Sequence, residues 1–182
     1  METAGLLELE RYELLEGQLI RKTGKSRLHT LALRPLLEWL RRVFGAECVE
    51  QGVPVDLGPL LTATNELEPD QSFCGCLRAN TAPRIQVPAD LLLVVEVSAT
   101  TRDYDLGAKS ALYASAGLAE YWVIDLRDMR IVVHRNPLAK RYGSIVAYAV
   151  DEAVTKLAAE SATIRLQGVF LALRESLNFR SA

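Results

Sequence analysis

The sequence has few cysteines, no long apolar run and almost no net charge, and each shortage removes a class of protein. Three cysteines in 182 residues, Cys48, Cys74 and Cys76, are too few and too irregularly placed for a disulfide framework. The single Cys-Gly-Cys lacks the second ligand pair that a structural zinc ion needs. Reduced thiols are therefore expected. No apolar stretch approaches the roughly 20 residues required to cross a bilayer. The opening Met1-Glu-Thr-Ala-Gly-Leu-Leu-Glu8 has neither the basic nor the long apolar region of a secretory signal. A cytoplasmic protein with no membrane partner is expected. The formal charge is −2 and the pI about 5.8, so the molecule is no polycation, and contact with nucleic acid would depend on a local patch. There is no internal repeat or low-complexity tract, and no helix-turn-helix, zinc-finger or RNA-binding signature.

What is present is a chain that is 49% hydrophobic, enough to bury a substantial core as one domain over residues 1–182. Apolar residues from Leu6 to Glu16 follow a ragged helical pattern that stops at Gly17, and Gln18-Leu-Ile20 is extended. Leu33, Leu36, Leu37, Leu40 and Phe44 fall at helical spacing between Arg27 and Phe44, with Pro35 either kinking that helix or marking its first turn. Glu47 to Leu61 suggests short strands joined by tight turns. Leu91 to Ser98 is a continuous apolar run, the pattern of a strand buried on both faces. Thr100 to Ala116 is a helix ending at Gly117, and Glu120-Tyr-Trp-Val-Ile-Asp125 is a second buried strand. Strand, helix and strand form a βαβ unit. Met129 to His134 is its antiparallel neighbour, followed by strands near Ser144 to Val150 and Thr163 to Leu166 and a short helix from Val169 to Leu177. The architecture expected is mixed α/β.

One residue breaks the apolar pattern. Glu96 sits inside the buried run, where a carboxylate loses hydration unless it is paired, protonated or bound to a cation. Period-two alternation puts Glu96 and Ser98 on the face of Val94, near the carboxyl end of the strand, where ligands gather in parallel sheets. Lys109 lies about six residues into the following helix, roughly 9 Å from its start, within partial reach of that end. Asp70 follows Pro69 upstream. Two carboxylates and a main-chain carbonyl such as that of Val97 form a hard oxygen site suited to Mg²⁺ or Mn²⁺. Such a site lowers the pKa of bound water and offsets charge on a phosphodiester, and a neighbouring lysine stabilises the transition state. Each residue also has a plain structural role open to it: Asp70 in a turn, Glu96 in a hydrogen-bond network, and Lys109 in a pair with Asp105 one turn earlier.

The runs Val-Val-Glu96-Val-Ser98, Tyr104-Asp105-Leu-Gly-Ala-Lys109 and Leu112-Tyr113-Ala-Ser-Ala-Gly117-Leu-Ala-Glu120-Tyr121-Trp122-Val-Ile-Asp125 resemble the Uma-type putative restriction endonuclease family, a branch of the PD-(D/E)xK nuclease superfamily. Tyr12-Glu13-Leu-Leu-Glu16-Gly17, His29 and Pro69-Asp70 extend the likeness over nearly the whole chain. The resemblance implies a restriction-endonuclease-like core, a mixed β-sheet flanked by helices, with Asp70 and Glu96 as ligands of Mg²⁺ (or Mn²⁺). Lys109 is then a displaced catalytic lysine, because Ser98 stands where the superfamily has lysine. Gln18 replaces a glutamate common in the opening motif. Glu13 and Glu16 are possible auxiliary acids, Glu16 being carried as the candidate, although exposed helix glutamates usually serve solvation. His29 is read as packing or capping near its helix start.

The activity implied is hydrolysis of phosphodiester bonds in nucleic acid, DNA before RNA, by a homodimer able to cut both strands. The alternative is an inactive nuclease-fold module that binds nucleic acid or a protein partner. Arg21, Lys22, Lys25, Arg27, Arg34, Arg41 and Arg42 face only Glu38 across residues 21–42, which suits either a phosphate-tracking surface or a solvated helix face.

Overall fold

The computed structural model describes residues 12–21, 26–74 and 86–171. The start of the first expected helix, Lys22, Lys25, Cys76 and the end of the C-terminal helix lie outside them. In chain order the elements are β1 (Tyr12–Leu15), β2 (Gln18–Arg21), α1 (Arg27–Phe44), β3 (Val49–Glu50), α2 (Pro59–Thr62), β4 (Gln71–Cys74) and β5 (Leu91–Ser98). There follow α3 (Arg102–Tyr104), a π-helical turn (Asp105–Lys109), α4 (Ser110–Ser115), β6 (Glu120–Asp125), β7 (Arg130–Leu138), β8 (Arg141–Tyr148), β9 (Ala153–Lys156) and β10 (Ala159–Arg165). Residues 166–171 are helical.

Six strands form one sheet in the order β3-β4-β5-β6-β7-β8. Within this sheet β5 and β6 run parallel, Glu96 opposite Val123 and Ser98 opposite Asp125, and the other described pairs are antiparallel. The βαβ unit is therefore at the centre of a mixed sheet, as the patterning of β5 and β6 implies. Side chains alternate across it. Val95, Val97, Trp122, Ile124 and Val133 pack against Ala32, Leu33, Leu36, Trp39 and Leu40 of α1, with the Trp39 and Trp122 rings stacked at 6.3 Å. Val94, Tyr121, Val123 and Val132 face Leu112, Tyr113 and Ala114 of α4. Glu96 shares the second face, so it points toward α4 and away from α1.

α1 begins at an N-cap serine, Ser26, whose hydroxyl oxygen accepts from His29 N at 3.2 Å. Pro35 lies inside the helix, and its ring is accommodated without ending the element. Two expectations need correction. The segment Tyr12–Leu15 is a strand, not the end of a helix: Glu16 and Gly17 adopt φ of 51° and 78° and turn the chain into β2, a two-residue hairpin connection with both φ values positive. Cys48 is disulfide-bonded, so the expectation of reduced thiols fails for it.

A second charged cluster ties the β9-β10 hairpin to the sheet. Glu120, fully buried on β6, accepts from Trp122 Nε1 at 3.0 Å, Arg135 Nε at 2.9 Å and Leu157 N at 3.1 Å. Arg135 also reaches the Thr155 carbonyl. Lys156 is buried with Nζ 4.6 Å from the Phe73 ring centroid, 5.3 Å from that of Phe44 and 4.0 Å from Glu120 Oε2. Burial lowers its pKa from 10.5 to about 8, with Glu120 opposing the shift and Arg135 adding to it. Below pH 8 both folded and unfolded chains carry the proton, and the fold bears the full cost, on the order of 3 kcal/mol. Between pH 8 and 10.5 the unfolded chain alone holds the proton, so stability rises with pH. Lys156→Met keeps the packing on both rings but loses the long pair with Glu120, and a net stabilisation of about 1–2 kcal/mol below pH 8 is expected. Melting temperatures across this range check it: the gain should fade as pH approaches 10.5.

Candidate active site

The central strands bring residues from five segments to one pocket. Glu96 is near the carboxyl end of β5, buried beneath the helical turn that follows. That turn is not an α-helix. The π-helical hydrogen-bonding of Asp105–Lys109 inserts a wider turn between α3 and α4, a local irregularity often found at functional sites, and both of its charged ends are buried. Lys109 Nζ lies 2.8 Å from Glu13 Oε2, 2.9 Å from Glu96 Oε1 and 3.4 Å from Asp105 Oδ1. Asp105 Oδ2 also accepts from Thr101 Oγ1 at 2.5 Å.

Asp70 enters from the opposite side, just before β4. Because β4 begins at Gln71, opposite Val95, the next main-chain donor of β5 has no strand partner there, and Val97 N donates to Asp70 Oδ2 at 2.8 Å. The carboxylate is thus fastened to the residue after Glu96. His29 Nε2, from the first turn of α1, lies 2.9 Å from Asp70 Oδ1. Asp70, Glu96, Val97, Asp105 and Lys109 are brought together, with Ser98 fully buried one alternation beyond Glu96 on the same face.

Glu16 is not part of this group. It is exposed in the β1-β2 turn, where its main-chain N donates to Asn65 Oδ1 at 2.7 Å. Glu13 takes the place expected of it: strand alternation turns Glu13 and Leu15 inward, and Glu13 Oε1 accepts from Glu68 N at 3.0 Å. The signal available in the sequence was the hairpin, an acidic residue and glycine between two short extended runs. His29 likewise does more than cap its helix, although no local pattern announces a contact with a residue so distant in the chain.

The electrostatics of the pocket are unbalanced. Three carboxylates, Glu13, Glu96 and Asp105, lie within 3.4 Å of one ammonium group, and the charge of Asp70 acts on Glu96. Burial works against the Lys109 charge, but Glu96, Glu13 and Asp105 outweigh it and hold the group well above the ordinary lysine range. Burial pushes the Glu96 carboxyl well above the usual carboxylate range, Lys109 pulls it back, and the negative charges of Asp105, Asp70 and Glu13 push it further. Asp105 is raised too, by burial, against the pull of Lys109 and Thr101. One lysine therefore offsets only part of the negative charge gathered here.

Its donors suit a hard cation. Among the described residues no group of three or more His, Cys, Asp or Glu side chains is spaced to enclose a metal ion. Mg²⁺ does not require one, since it commonly keeps several waters and takes one or two carboxylates beside substrate oxygens. Asp70 and Glu96 are the two carboxylates that an ion bound in that way would take.

A family model described as Uma2, "Putative restriction endonuclease", matches residues 4–167. The chain belongs to the Uma2 family. The crystal structure of a putative nuclease belonging to DUF820 from Anabaena variabilis ATCC 29413 is similar in fold, with a TM-score of 0.70 at 16% identity, over 92% of this chain and 94% of that one. No curated protein matches. The Uma2 match and this neighbour fix the fold as a nuclease-like mixed sheet flanked by helices, and a nuclease-like function follows from the family.

Within this Uma2 chain a stripe of arginines on α1 is oriented away from the acids. Arg27, Arg34 and Arg41 recur every seven residues on the exposed side of α1, and Arg34 pairs with Glu38 at 3.0 Å. His29, two residues on from Arg27, is about 200° around the helix from it. The stripe and the side chain touching Asp70 therefore occupy opposite sides of α1, and the stripe is a solvated helix face with respect to this pocket. Among the described residues no helix is long and apolar enough to cross a membrane.

Proposed function

We propose that this chain is a Mg²⁺- or Mn²⁺-dependent endonuclease that hydrolyses phosphodiester bonds in DNA, acting as a cytoplasmic homodimer. The observation that carries the reading is the convergence of Asp70, fastened to Val97, with Glu96 and Lys109 in a pocket holding more carboxylates than cations. Asp70, Glu96 and the Val97 carbonyl would hold the divalent ion. When bound, such an ion polarises the scissile phosphate and makes its coordinated water a nucleophile near neutral pH. Lys109, charged throughout the physiological range, places positive charge beside the Glu96 carboxylate, where it can orient that water or stabilise charge developing on the phosphate. Glu13 and Asp105 keep the ammonium group in one position and Asp70 is held by His29. These are positioning contributions.

Plasmid incubated with the purified protein and Mg²⁺ or Mn²⁺ tests the reading: nicking that EDTA abolishes is expected, and no cleavage under any salt condition overturns it. His29 gives a separate check. His29→Ala removes one of the contacts that hold Asp70, and Mn²⁺ affinity measured by calorimetry is expected to fall by about 10- to 100-fold, the usual effect of removing a group that orients a metal ligand. Unchanged affinity would place His29 outside the site.

One observation favours the second reading, an inactive module of the same fold. Both oxygens of Asp70 are already engaged, by His29 and Val97 N. If those contacts replace the ion, the wild-type protein takes up no Mn²⁺ in the same titration.

A further inference from the structure

The outward-facing helix stripe leaves open where a nucleic-acid backbone meets this protein, and a different pair of arginines answers better. At the carboxyl ends of the parallel strands, the segment after β5 and the β6-β7 turn lie side by side, joined by Leu126 N donating to the Ser98 carbonyl at 2.9 Å. Asp125, fully buried at the end of β6, organises that turn by accepting from Arg127 N at 3.1 Å and Asp128 N at 3.2 Å. Its other oxygen, Oδ2, receives two guanidinium groups, Arg102 Nε at 3.0 Å and Arg130 Nε at 3.2 Å. Both arginines are thereby aimed in one direction. Their NH2 groups meet at a single outer oxygen, Asp128 Oδ2, at 2.7 Å from Arg102 and 3.1 Å from Arg130.

The two acids are not equivalent. Asp125 is buried, accepts three hydrogen bonds and is ion-paired with Arg102, whereas the Asp128 side chain is 41% exposed and sits at the turn tip. Asp128 can leave without disturbing the groups that orient the arginines. What it then exposes is a fork of two guanidinium groups, preset for one oxyanion, with the geometry that favours phosphate over a point charge. With Asp128 in place the four groups are neutral; without it they carry one positive charge, matching one phosphodiester.

The fork also stands at the correct end of the sheet. Glu96 is two residues before Ser98, roughly 7 Å along the strand. Thr101, the neighbour of Arg102, donates to Asp105 inside the pocket. DNA carries one phosphate per about 3.4 Å of axis on each strand, so a phosphate held at the fork is only a few nucleotides from one presented to Asp70, Glu96 and Lys109.

We propose that Arg102 and Arg130 form a binding site for a backbone phosphate of the nucleic acid flanking the one to be cut, with Asp128 as an exchangeable occupant of that site. The inference rests on the nuclease reading for its ligand, but not on cleavage. The test is therefore binding without metal, using a fluorescently labelled 20-base-pair DNA duplex and the full chain, read by anisotropy between 50 and 200 mM NaCl. Arg130→Gln and Arg102→Gln should each weaken binding by about five- to tenfold at the lowest salt and reduce the slope of log affinity against log salt by about one. Asp128→Asn, an exposed and conservative change, should tighten binding by about threefold or more. An ordinary structural salt bridge predicts no such tightening.

Unchanged affinity in Arg130→Gln together with unchanged or weaker binding in Asp128→Asn overturns the site, as does a wild-type protein that binds no duplex. Cleavage that persists with those results leaves the nuclease reading standing. Tightening by Asp128→Asn in a protein that never cleaves supports the fork and removes the nuclease activity instead.

Discussion

Lys109→Met is expected to destabilise the protein by about 3–5 kcal/mol at pH 8, the range for removing one partner from a buried charge cluster. Methionine preserves most of the packing volume, so the loss is electrostatic. Glu13, Glu96 and Asp105 all lie within 3.4 Å of the ammonium group, and without it three buried carboxylates face one another with Asp70 close by. The chain has one way to relieve this short of unfolding, which is to take up protons. Glu96 and Asp105 are already raised by burial, and in the variant they rise further. A raised carboxyl binds protons in the folded state that the unfolded state has released, so the cost is full at high pH and declines as pH falls toward the unfolded carboxylate range. Urea denaturation at pH 8 and pH 5 should show a deficit that shrinks substantially on acidification. A loss below about 1 kcal/mol, or one equal at both pH values, would mean that water reaches these acids and that no closed cluster exists.

The same cluster shows which parts of the molecule local sequence patterns could reveal. β5 and β6 are largely apolar runs, β5 interrupted only by Glu96 before its closing serine, because both faces of the central strands are covered, and such runs are conspicuous. α1 declares itself through Leu33, Leu36 and Leu40 at helical spacing. Once the strand was placed, alternation sent Glu96 to the α4 face and brought Lys109 near it. The edges were harder. A four-residue strand such as β1 offers two alternations at most, too few to separate from a ragged helix, and Glu13 was consequently read as a solvated helix residue when it is one of the groups holding Lys109. The π-helical turn is equally silent, since Asp105 and Lys109 would share a helix side at this spacing even in an α-helix. The contact of His29 with Asp70 depends on how α1 crosses the sheet, which is a tertiary relation and leaves no periodic trace. Cys48 illustrates the same limit: cysteine count and spacing argued against a framework, and a single bridge formed by packing is invisible to that argument.

Glu96→Gln separates catalysis from folding more cleanly than any other substitution in the pocket. Glutamine has the shape of the carboxyl group but cannot ionise, and burial already disfavours the ionised form of Glu96. Lys109 retains Glu13 and Asp105 as partners. The variant should therefore be as stable as the wild type or more so, with a melting temperature unchanged or raised by a few degrees. Metal-dependent cleavage should fall on the order of 10³-fold, equivalent to about 4 kcal/mol of transition-state stabilisation, because an amide oxygen is a poor substitute for a carboxylate on a divalent ion. A site that carries charge for chemistry at the expense of stability gives opposite signs in the two measurements. If cleavage and stability fall together, Glu96 is a structural partner of Lys109, and if cleavage persists undiminished, the cation is held elsewhere.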